Sequence, residues 1–406
     1  MSNQRRPKES FFSKLMKNKN FKRFALPITV VIIGAVLIIT APWQAYQPNV
    51  EDPTPTPTIP TNPPPGTIST PTPTPDPDET PTPDPGDATP KPTPTPLPGV
   101  YNPLTGEPWH EEHNNRPWAV SIGNTSPALP QHGLASASIL YEYIVEGTET
   151  RILAIFQNLP ESGIIGSIRS ARQYIVEIAN SYDALLVHAG GRDYSGEVIA
   201  GSPITRLNTL DVDGTSMSYR DQYRRNTLRM SNEHTLMTTY ERLTNNVPTR
   251  VRLEHEAGYS PALGFKEDGT PSDGKAAERI DVRFIEGSKT SLFTYSAADK
   301  LYFVRQHSRD MVDGNSGTPR PGFTNLLILQ TDIKNTGDAS GRRDIRTTGE
   351  GNGYFMCGGK YIEITWSRTN NSSQYVYRLK DGSLLEFGIG KTYICIISSG
   401  QTPTIS

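Results

Sequence analysis

Residues 24–43 read FALPITVVIIGAVLIITAPW, a run of twenty residues without a charged side chain. As a helix with a rise of about 1.5 Å per residue, this run would be roughly 30 Å long, which matches the hydrocarbon core of a bilayer. Residues 1–23 hold eight lysines and arginines against one glutamate, and the positive-inside rule keeps such a segment cytoplasmic. The sequence therefore predicts a single-pass signal anchor in the cell membrane, a cytoplasmic N-terminus and extracytoplasmic globular domains.

A cleaved signal peptide is the alternative to an anchor. It requires a short apolar core followed by small residues in an A-x-A-like pattern. The apolar run is longer than that, and TAPWQAYQ at 40–47 contains no such site. No cysteine lies near the run to carry a lipid, so we expect contact with the lipid bilayer through residues 24–43 themselves.

Residues 44–99 differ sharply in composition, because 20 of the chain's 36 prolines fall between Pro48 and Pro98. With no periodic apolar positions, this predicts a disordered, extended Pro/Thr linker with polyproline II character, although an O-glycosylated stalk has a similar composition. The linker is acidic, and the residues after it carry a formal net charge of −3. That charge argues against a nucleic-acid partner.

Two domains are predicted after the linker. From 100 to 248, extended runs at 118–122, 138–146, 149–157 and 184–188 alternate with helical patterns at 169–181 and 235–244. Such alternation is typical of an α/β or α+β domain. From 260 to 402 most apolar runs are short and rich in β-branched and aromatic residues, which predicts a β-rich domain.

The first candidate site is a hairpin around Gly147 and Thr148. A two-residue turn would pair Ile144 with Arg151 and place Glu142, Glu146 and Arg151 on one face. The two glutamates would then be roughly 13 Å apart at about 3.3 Å per residue, too far for a glycosidase pair. Together with Arg151, the two glutamates form either a cross-strand Glu-Arg-Glu ladder or a set of ligand contacts.

The second candidate is GSIRSAR at 166–172, at the start of the predicted helix 169–181. Arg169 and Arg172 would share a helix face beside free backbone N–H groups and the hydroxyl of Ser170. Arginines with hydroxyls at such a place are typical of an anion site. The alternative is an internal ion pair with Glu142 or Glu146.

Histidines mark the remaining candidates. His188 ends a buried-looking strand, where it is either a general base with Asp193 or Ser195 nearby or a hydrogen-bonding residue of the fold. The segment from Arg220 to His234 adds positive charge, or is a solvated polar loop. His110 and His113 lack any further metal-ligand pattern, so neither a metal site nor a cofactor is predicted.

Cys357 and Cys395 are the only cysteines, and both fall in strand-like runs on the predicted extracytoplasmic side. They form either a disulfide or two buried free thiols. A disulfide requires neighbouring strands, with Cα atoms about 4.4 to 6.8 Å apart.

Taken together, several stretches resemble the YerB family of bacterial lipoproteins. They are NPLTGEP (102–108), RPWAVSIGN (116–124), PQHGLASASILYEYIVEGTETR (130–151), GSIRSAR (166–172), LLVHAGG (185–191), EHTLMTT (233–239), GYFMCGGKYIEITWSR (353–368) and DGSLLEFGIGKTYICII (381–397). The resemblance implies an α/β N-terminal and a β-rich C-terminal domain of unknown function, and no reaction or ligand. Family members typically begin with a lipidated cysteine, which this chain lacks.

Two functions are compatible with these residues. The first is a cell-envelope binding module, in which Arg151, Arg169, Arg172, His188 and His234 line a cleft for an anionic ligand, glycan or peptide. The second is an envelope hydrolase that uses His188 or His234 with a nearby carboxylate. Because no nucleophile, metal set or close carboxylate pair is present, we favour binding. A purely structural protein that binds a partner is a further alternative.

Overall fold

The computed structural model describes residues 99–109, 114–191, 206–210, 216–285 and 287–406. The predicted cytoplasmic segment 1–23, the anchor 24–43 and the linker up to residue 98 lie outside these ranges. Among the described residues, no helix is both long and apolar enough to cross a membrane.

Strands dominate the described part of the chain. The N-terminal half contains β1 (Trp118–Gly123), β2 (Ile139–Ile144), β3 (Thr150–Phe156), β4 (Ile165–Gly166), β5 (Leu185–His188), β6 (Arg206–Asn208), β7 (Tyr219–Arg220) and β8 (Leu236–Thr238). Its helices are α1 (Gln173–Asn180) and α2 (Tyr240–Asn246), and it also has 3-10 turns at Ser126–Ala128, Leu134–Ser136 and Asn232–His234 and a π turn at Tyr223–Thr227.

The C-terminal half is built from strands alone among its described residues. They are β9 (Gly264–Lys266), β10 (Lys275–Ala276), β11 (Arg279–Ile285), β12 (Lys289–Ser296), β13 (Leu301–Gln306), β14 (Arg309–Asp310), β15 (Gly322–Phe323), β16 (Asn325–Thr331), β17 (Ile333–Asn335), β18 (Arg343–Ile345), β19 (Gly349–Cys357), β20 (Lys360–Arg368), β21 (Val376–Arg378), β22 (Glu386–Gly388), β23 (Thr392–Ser398) and β24 (Thr404–Ile405).

One eleven-stranded sheet runs through both halves, in the order β10-β20-β19-β16-β23-β2-β3-β1-β5-β6, with β21 paired to β20. The junction is β23, which is parallel to β16 on one side and to β2 on the other. A second sheet, β14-β13-β12-β11-β24 with β15 on β13, belongs to the C-terminal half. The predicted domains 100–248 and 260–402 thus share a sheet, and their independence stays a prediction.

The central strands of the long sheet are buried on both faces, and this explains their nearly continuous apolar sequences. They are β16, β23, β2, β3, β1 and β5. On one face Val120, Leu140 and Ile152 join the same core cluster as Phe293 of the second sheet. On the other face the sheet packs against α1, whose buried residues include Tyr174. The site described below lies at one end of this layered core.

The fold is β-rich with few helices, so the sequence predicted more helical residues than the described part of the structure contains. The four N-terminal strand predictions are confirmed by β1, β2, β3 and β5. The helix predicted for 169–181 begins only at Gln173, because the residues before it are extended and Ile168 bridges Ile122 of β1. The helix predicted for 235–244 begins at Tyr240, after the short strand β8.

The register of the β2–β3 hairpin also differs from the prediction. Tyr143 lies opposite Arg151 and Ile144 opposite Thr150, one residue away from the predicted pairing. The loop holds three residues, and Gly147 at its centre has a φ of 54°, a left-handed conformation that glycine adopts easily. Because a one-residue shift moves side chains to the other face of a sheet, Glu142 and Arg151 lie on opposite faces.

The possible disulfide is contradicted by the sheet order. Cys357 on β19 lies opposite Asn325 of β16, and Cys395 on β23 lies opposite Ile328 of the same strand. With β16 between them the two strands are about 10 Å apart, twice the usual strand spacing, so no bridge can form. Both cysteines are buried free thiols, which was the alternative.

Candidate functional site

The candidate site lies where β1, β5 and β6 end. These strands are parallel, so their carboxyl ends meet at one edge of the sheet, the usual position of ligands in such sheets. The segment 167–171 crosses this edge: the N–H of Arg169 donates to Ser121 at 2.8 Å, and the N–H of Ala189 donates to Arg169 at 3.0 Å. Arg169, Ser170 and Arg172 are therefore fixed at the edge by an extended segment and not by a helix.

Arg151 and Arg172 converge on Glu146, which emerges from the β2–β3 hairpin. Arg151 Nη2 lies 3.2 Å from Glu146 Oε2, and Arg172 contacts the other carboxylate oxygen through both Nε and Nη2. Arg151 also donates to the carbonyl of Ser170 at 2.5 Å. Thus Glu146, Arg151, Ser170 and Arg172 come together as candidates, and Arg172 has the internal partner considered in the sequence analysis.

The charges in this group do not balance. Burial, and then the neighbouring charge of Arg172, lower the pKa of Arg151 to about 10. Burial would raise the pKa of Glu146, but the charges of the two arginines outweigh it and hold that pKa below its ordinary value. One carboxylate is thus paired with two guanidinium groups, and this edge of the sheet keeps a net positive charge.

Arg169 faces away from this group, towards His234 and Glu233. Its Nη1 lies 3.3 Å from His234 Nδ1 and 3.3 Å from Glu233 Oε2. Arginine can only donate, so Nδ1 must accept and a neutral His234 carries its proton on Nε2. Burial, and then the charge of Arg169, lower the pKa of His234, which favours that neutral form.

Arg220 reaches the same turn from β7. Its Nη1 donates to the carbonyl of Asn232 at 2.5 Å, while Arg169 Nη1 donates to the next carbonyl, that of Glu233, at 3.3 Å. The two guanidinium groups therefore lie at successive residues of one turn. Arg169, Arg220 and His234 come together as candidates, and Glu233 is the member of this group that the sequence analysis did not select.

The segment 220–234 is not simply a solvated loop, because Arg224 is buried within it. Its guanidinium donates to the carbonyls of Ala128, Pro130 and His234 at 2.5, 2.9 and 2.9 Å. The bonds to Ala128 and Pro130 fasten the segment to the part of the chain that follows β1, and the bond to His234 joins the two ends of the segment. The other residues of the segment, including Arg225, are mostly exposed.

His188 ends β5 as predicted, and its Nδ1 lies 2.8 Å from the carbonyl oxygen of Gly190. Its proposed partners Asp193 and Ser195 lie outside the described residues, so the general-base hypothesis is not tested by the structure. The same holds for His110 and His113. Within the described ranges, His, Cys, Asp and Glu form no group of three that could hold a metal ion.

Glu142 does not belong to the site. It is completely buried on the opposite face of β2, where Lys289 Nζ lies 3.0 Å from Oε1. Four further side chains donate hydrogen bonds of 2.7 to 2.8 Å to its carboxylate, namely Asn124, Thr150, Ser291 and Tyr393. Burial would raise the pKa of Glu142, but Lys289 and the hydroxyl donors lower it below its ordinary value. Glu142 therefore joins the two sheets as an anion of the core.

The architecture is that of a β-rich protein whose N-terminal and C-terminal halves share one sheet. The chain matches the N-terminal domain of a protein of unknown function (DUF3048) over residues 104–255 and the C-terminal domain of the same family over residues 280–394. It belongs to this family.

Two further comparisons show which proteins of this family the chain is similar to. A protein of Bacillus subtilis (strain 168), described as "Putative lipoprotein YerB", is 30% identical over 308 residues, which cover 75% of this chain and 88% of that protein. The crystal structure of YerB from Bacillus subtilis matches with a TM-score of 0.61 at 28% identity, covering 76% of this chain and 99% of that one. The resemblance to the YerB family is thereby confirmed.

Proposed function

We propose that this chain is a membrane-attached extracytoplasmic protein whose arginine-rich sheet edge binds an anionic ligand of the cell envelope. The membrane attachment is supported by the description of its Bacillus relative as a lipoprotein and by the basic segment that precedes the apolar run 24–43. Attachment by a single-pass helix, with the N-terminus in the cytoplasm, belongs to this proposal.

The observation that supports ligand binding is the excess of arginine at the edge. Arg151 from β3 and the pair Arg169 and Arg172 from the segment before α1 gather there, with the half-buried Glu146 as the compensating carboxylate. Glu233, which pairs with Arg169, keeps 58% of its side chain exposed. Clustered arginines repel one another and are stabilised by an added anion.

The hydrolase alternative is less well supported at His234. A general base needs a free lone pair on the imidazole ring, but Nδ1 of His234 accepts from Arg169 at 3.3 Å. Nε2 then carries the proton. His234 therefore acts as a residue that positions Arg169.

Ligand binding is tested by a thermal-shift screen of the full-length chain, in detergent, against anionic glycans and acidic peptides of the envelope. A ligand of the native state should raise the melting temperature. Arg169→Gln should abolish that rise with little loss of stability, because its partner Glu233 can be hydrated. Arg172→Gln should destabilise the fold by about 1–3 kcal/mol, since it removes a partner of Glu146. A ligand shift that survives in Arg169→Gln would overturn the proposed site.

Topology is tested in bacterial protoplasts that express the full-length chain. Added protease should degrade the globular part and spare the N-terminal segment. Protection of the globular part would contradict the proposed orientation, and a mature N-terminus after residue 40 would show that the apolar run is cleaved.

A further inference from the structure

The outer part of the site holds two guanidinium groups around one turn. Arg220 donates to the carbonyl of Asn232 at 2.5 Å, and Arg169 donates to the next carbonyl, that of Glu233, at 3.3 Å. Arg169 comes from the segment that crosses β1, and Arg220 comes from β7. Two separate parts of the fold thus place a guanidinium group at the same turn.

Both arginines keep donors available. The hydrogen bonds that Arg169 makes through its guanidinium to described residues all use Nη1, and those of Arg220 use Nη1 alone. A guanidinium has five N–H donors in a planar fork that matches two oxygens of one anion. The Nε and Nη2 donors of Arg169 therefore remain for a ligand, as far as the described residues extend.

The local charge points to a doubly charged ligand. Arg224 is fastened in the segment and has Asp221 beside it, and these two charges cancel. Burial, and then the charges of Arg225 and Arg169, lower the pKa of Arg220, so these three arginines lie near one another. They remain against Glu233, an excess of two positive charges. A carboxylate would neutralise half of this excess, whereas a phosphate monoester carries about −1.5 to −2 at pH 7.

We infer that the ligand group at this site is a phosphate monoester dianion, held between Arg169 and Arg220, with Arg225 adding charge. This inference rests on the proposed anion-binding function and specifies its chemistry. The exposed carboxylate of Glu233 contacts Nη1 of Arg169, so it does not occupy the Nε and Nη2 donors assigned to the phosphate.

The test is isothermal titration calorimetry of the full-length chain in detergent at pH 7.5. The probes are inorganic phosphate, glucose 6-phosphate, dimethyl phosphate and succinate. Glucose 6-phosphate should bind at least tenfold more tightly than dimethyl phosphate, which has one charge, and than succinate, whose two charges lie on separate groups. Inorganic phosphate that binds equally well would identify free phosphate as the source, and weaker binding would identify an organic monoester.

Variants complete the test. Arg169→Gln and Arg220→Gln should each weaken glucose 6-phosphate at least tenfold, and exposed Arg225→Gln should weaken it by a smaller factor with no effect on folding. Arg378→Gln, an exposed arginine on β21, should have no effect. Succinate binding as tightly as the monoester, with the same arginine dependence, would overturn the inference and leave the anion site intact. Binding of no probe, or binding that is insensitive to Arg169, Arg220 and Arg225, would overturn both.

Discussion

The carboxylate of Glu142 lies 3.0 Å from the ammonium group of Lys289, with 0% and 2% of the two side chains exposed. Glu142 belongs to the long sheet through β2, and Lys289 belongs to the second sheet through β12. A buried ion pair is retained only where further hydrogen bonds satisfy both charges. The hydroxyl and amide donors around Glu142 satisfy its carboxylate, and the ammonium of Lys289 also donates to Gln306 Oε1 at 2.5 Å and to Ser291 Oγ at 3.4 Å. These hydrogen bonds make the junction between the two sheets specific.

Removal of one member of this pair should be strongly destabilising. In Lys289→Met the carboxylate of Glu142 keeps its burial and loses its counter-charge, which should lower the free energy of unfolding by about 3–5 kcal/mol. Urea denaturation followed by circular dichroism measures the change.

A double variant separates the ion pair from simple packing. Glu142→Gln with Lys289→Met leaves no charge uncompensated, so its destabilisation should be clearly smaller than the sum of the two single changes. Exposed Glu363 pairs with Lys380, and Glu363→Gln should change stability by less than about 1 kcal/mol. Additive effects of Glu142→Gln and Lys289→Met would contradict the coupling.

Stability should fall at acid pH in two stages. His132, His234 and His307 have pKa values below the ordinary 6.5, with burial as the first cause. The unfolded chain therefore binds more protons than the folded chain as the pH falls below about 6.5, and stability decreases. Glu142 and Glu146 have pKa values below 4.5, so the stability that they contribute is complete above that pH and is lost as the pH falls through their folded values.

Melting temperatures measured from pH 8 to pH 3 test whether stability falls with pH in these two stages. His234→Asn should flatten the first stage, and Glu146→Gln should flatten the second. A protein that becomes more stable between pH 7 and pH 5 would contradict the histidine assignment.

The two cysteines should react as buried thiols. Burial raises the pKa of Cys357 to about 11 and also raises that of Cys395, so little reactive thiolate is present at neutral pH. Iodoacetamide should label neither cysteine in the native protein. It should label both in denaturant without any reductant, and failure of that second labelling in intact-mass spectra would mean that they are oxidised.

Arg224 should hold the segment 220–234 in place through the planar shape of its side chain. Arg224→Lys keeps the charge but cannot reach the carbonyls of Ala128, Pro130 and His234 together, and each buried carbonyl left without a donor costs about 1–3 kcal/mol. Hydrogen–deuterium exchange across the segment should accelerate. Exposed Arg225→Lys is the matched control and should leave exchange unchanged.

The apolar strands and the edge of the sheet were predictable from the sequence. Runs such as 184–188 are too apolar to be exposed, and their short length favours a buried strand over a helix. His188 with its following glycines marked the strand end. Arg151 and Arg172 could be assigned to one polar group because both lie beside predicted strand or helix ends. The arginine side of the candidate site followed from such local signals.

Contacts between distant parts of the chain could not be predicted in this way. Lys289 has no local pattern that pairs it with Glu142, and the hairpin register depends on whether its loop holds two residues or three. That single residue decided the face on which Glu142 lies. Arg224 has the sequence context of a surface arginine, and only the carbonyls of Ala128 and Pro130, brought near by the fold, explain its burial.

The place of β23 between β2 and β16 has a consequence for biosynthesis. This strand, Thr392–Ser398, is synthesised after both of its neighbours, β2 and β16. Until it arrives, β2 and β16 each present an unpaired apolar edge, the kind of surface through which nascent chains aggregate. Tyr393, which donates to Glu142, is delivered by the same late strand. A chain terminated before Thr392 should therefore be a substrate for quality-control proteases.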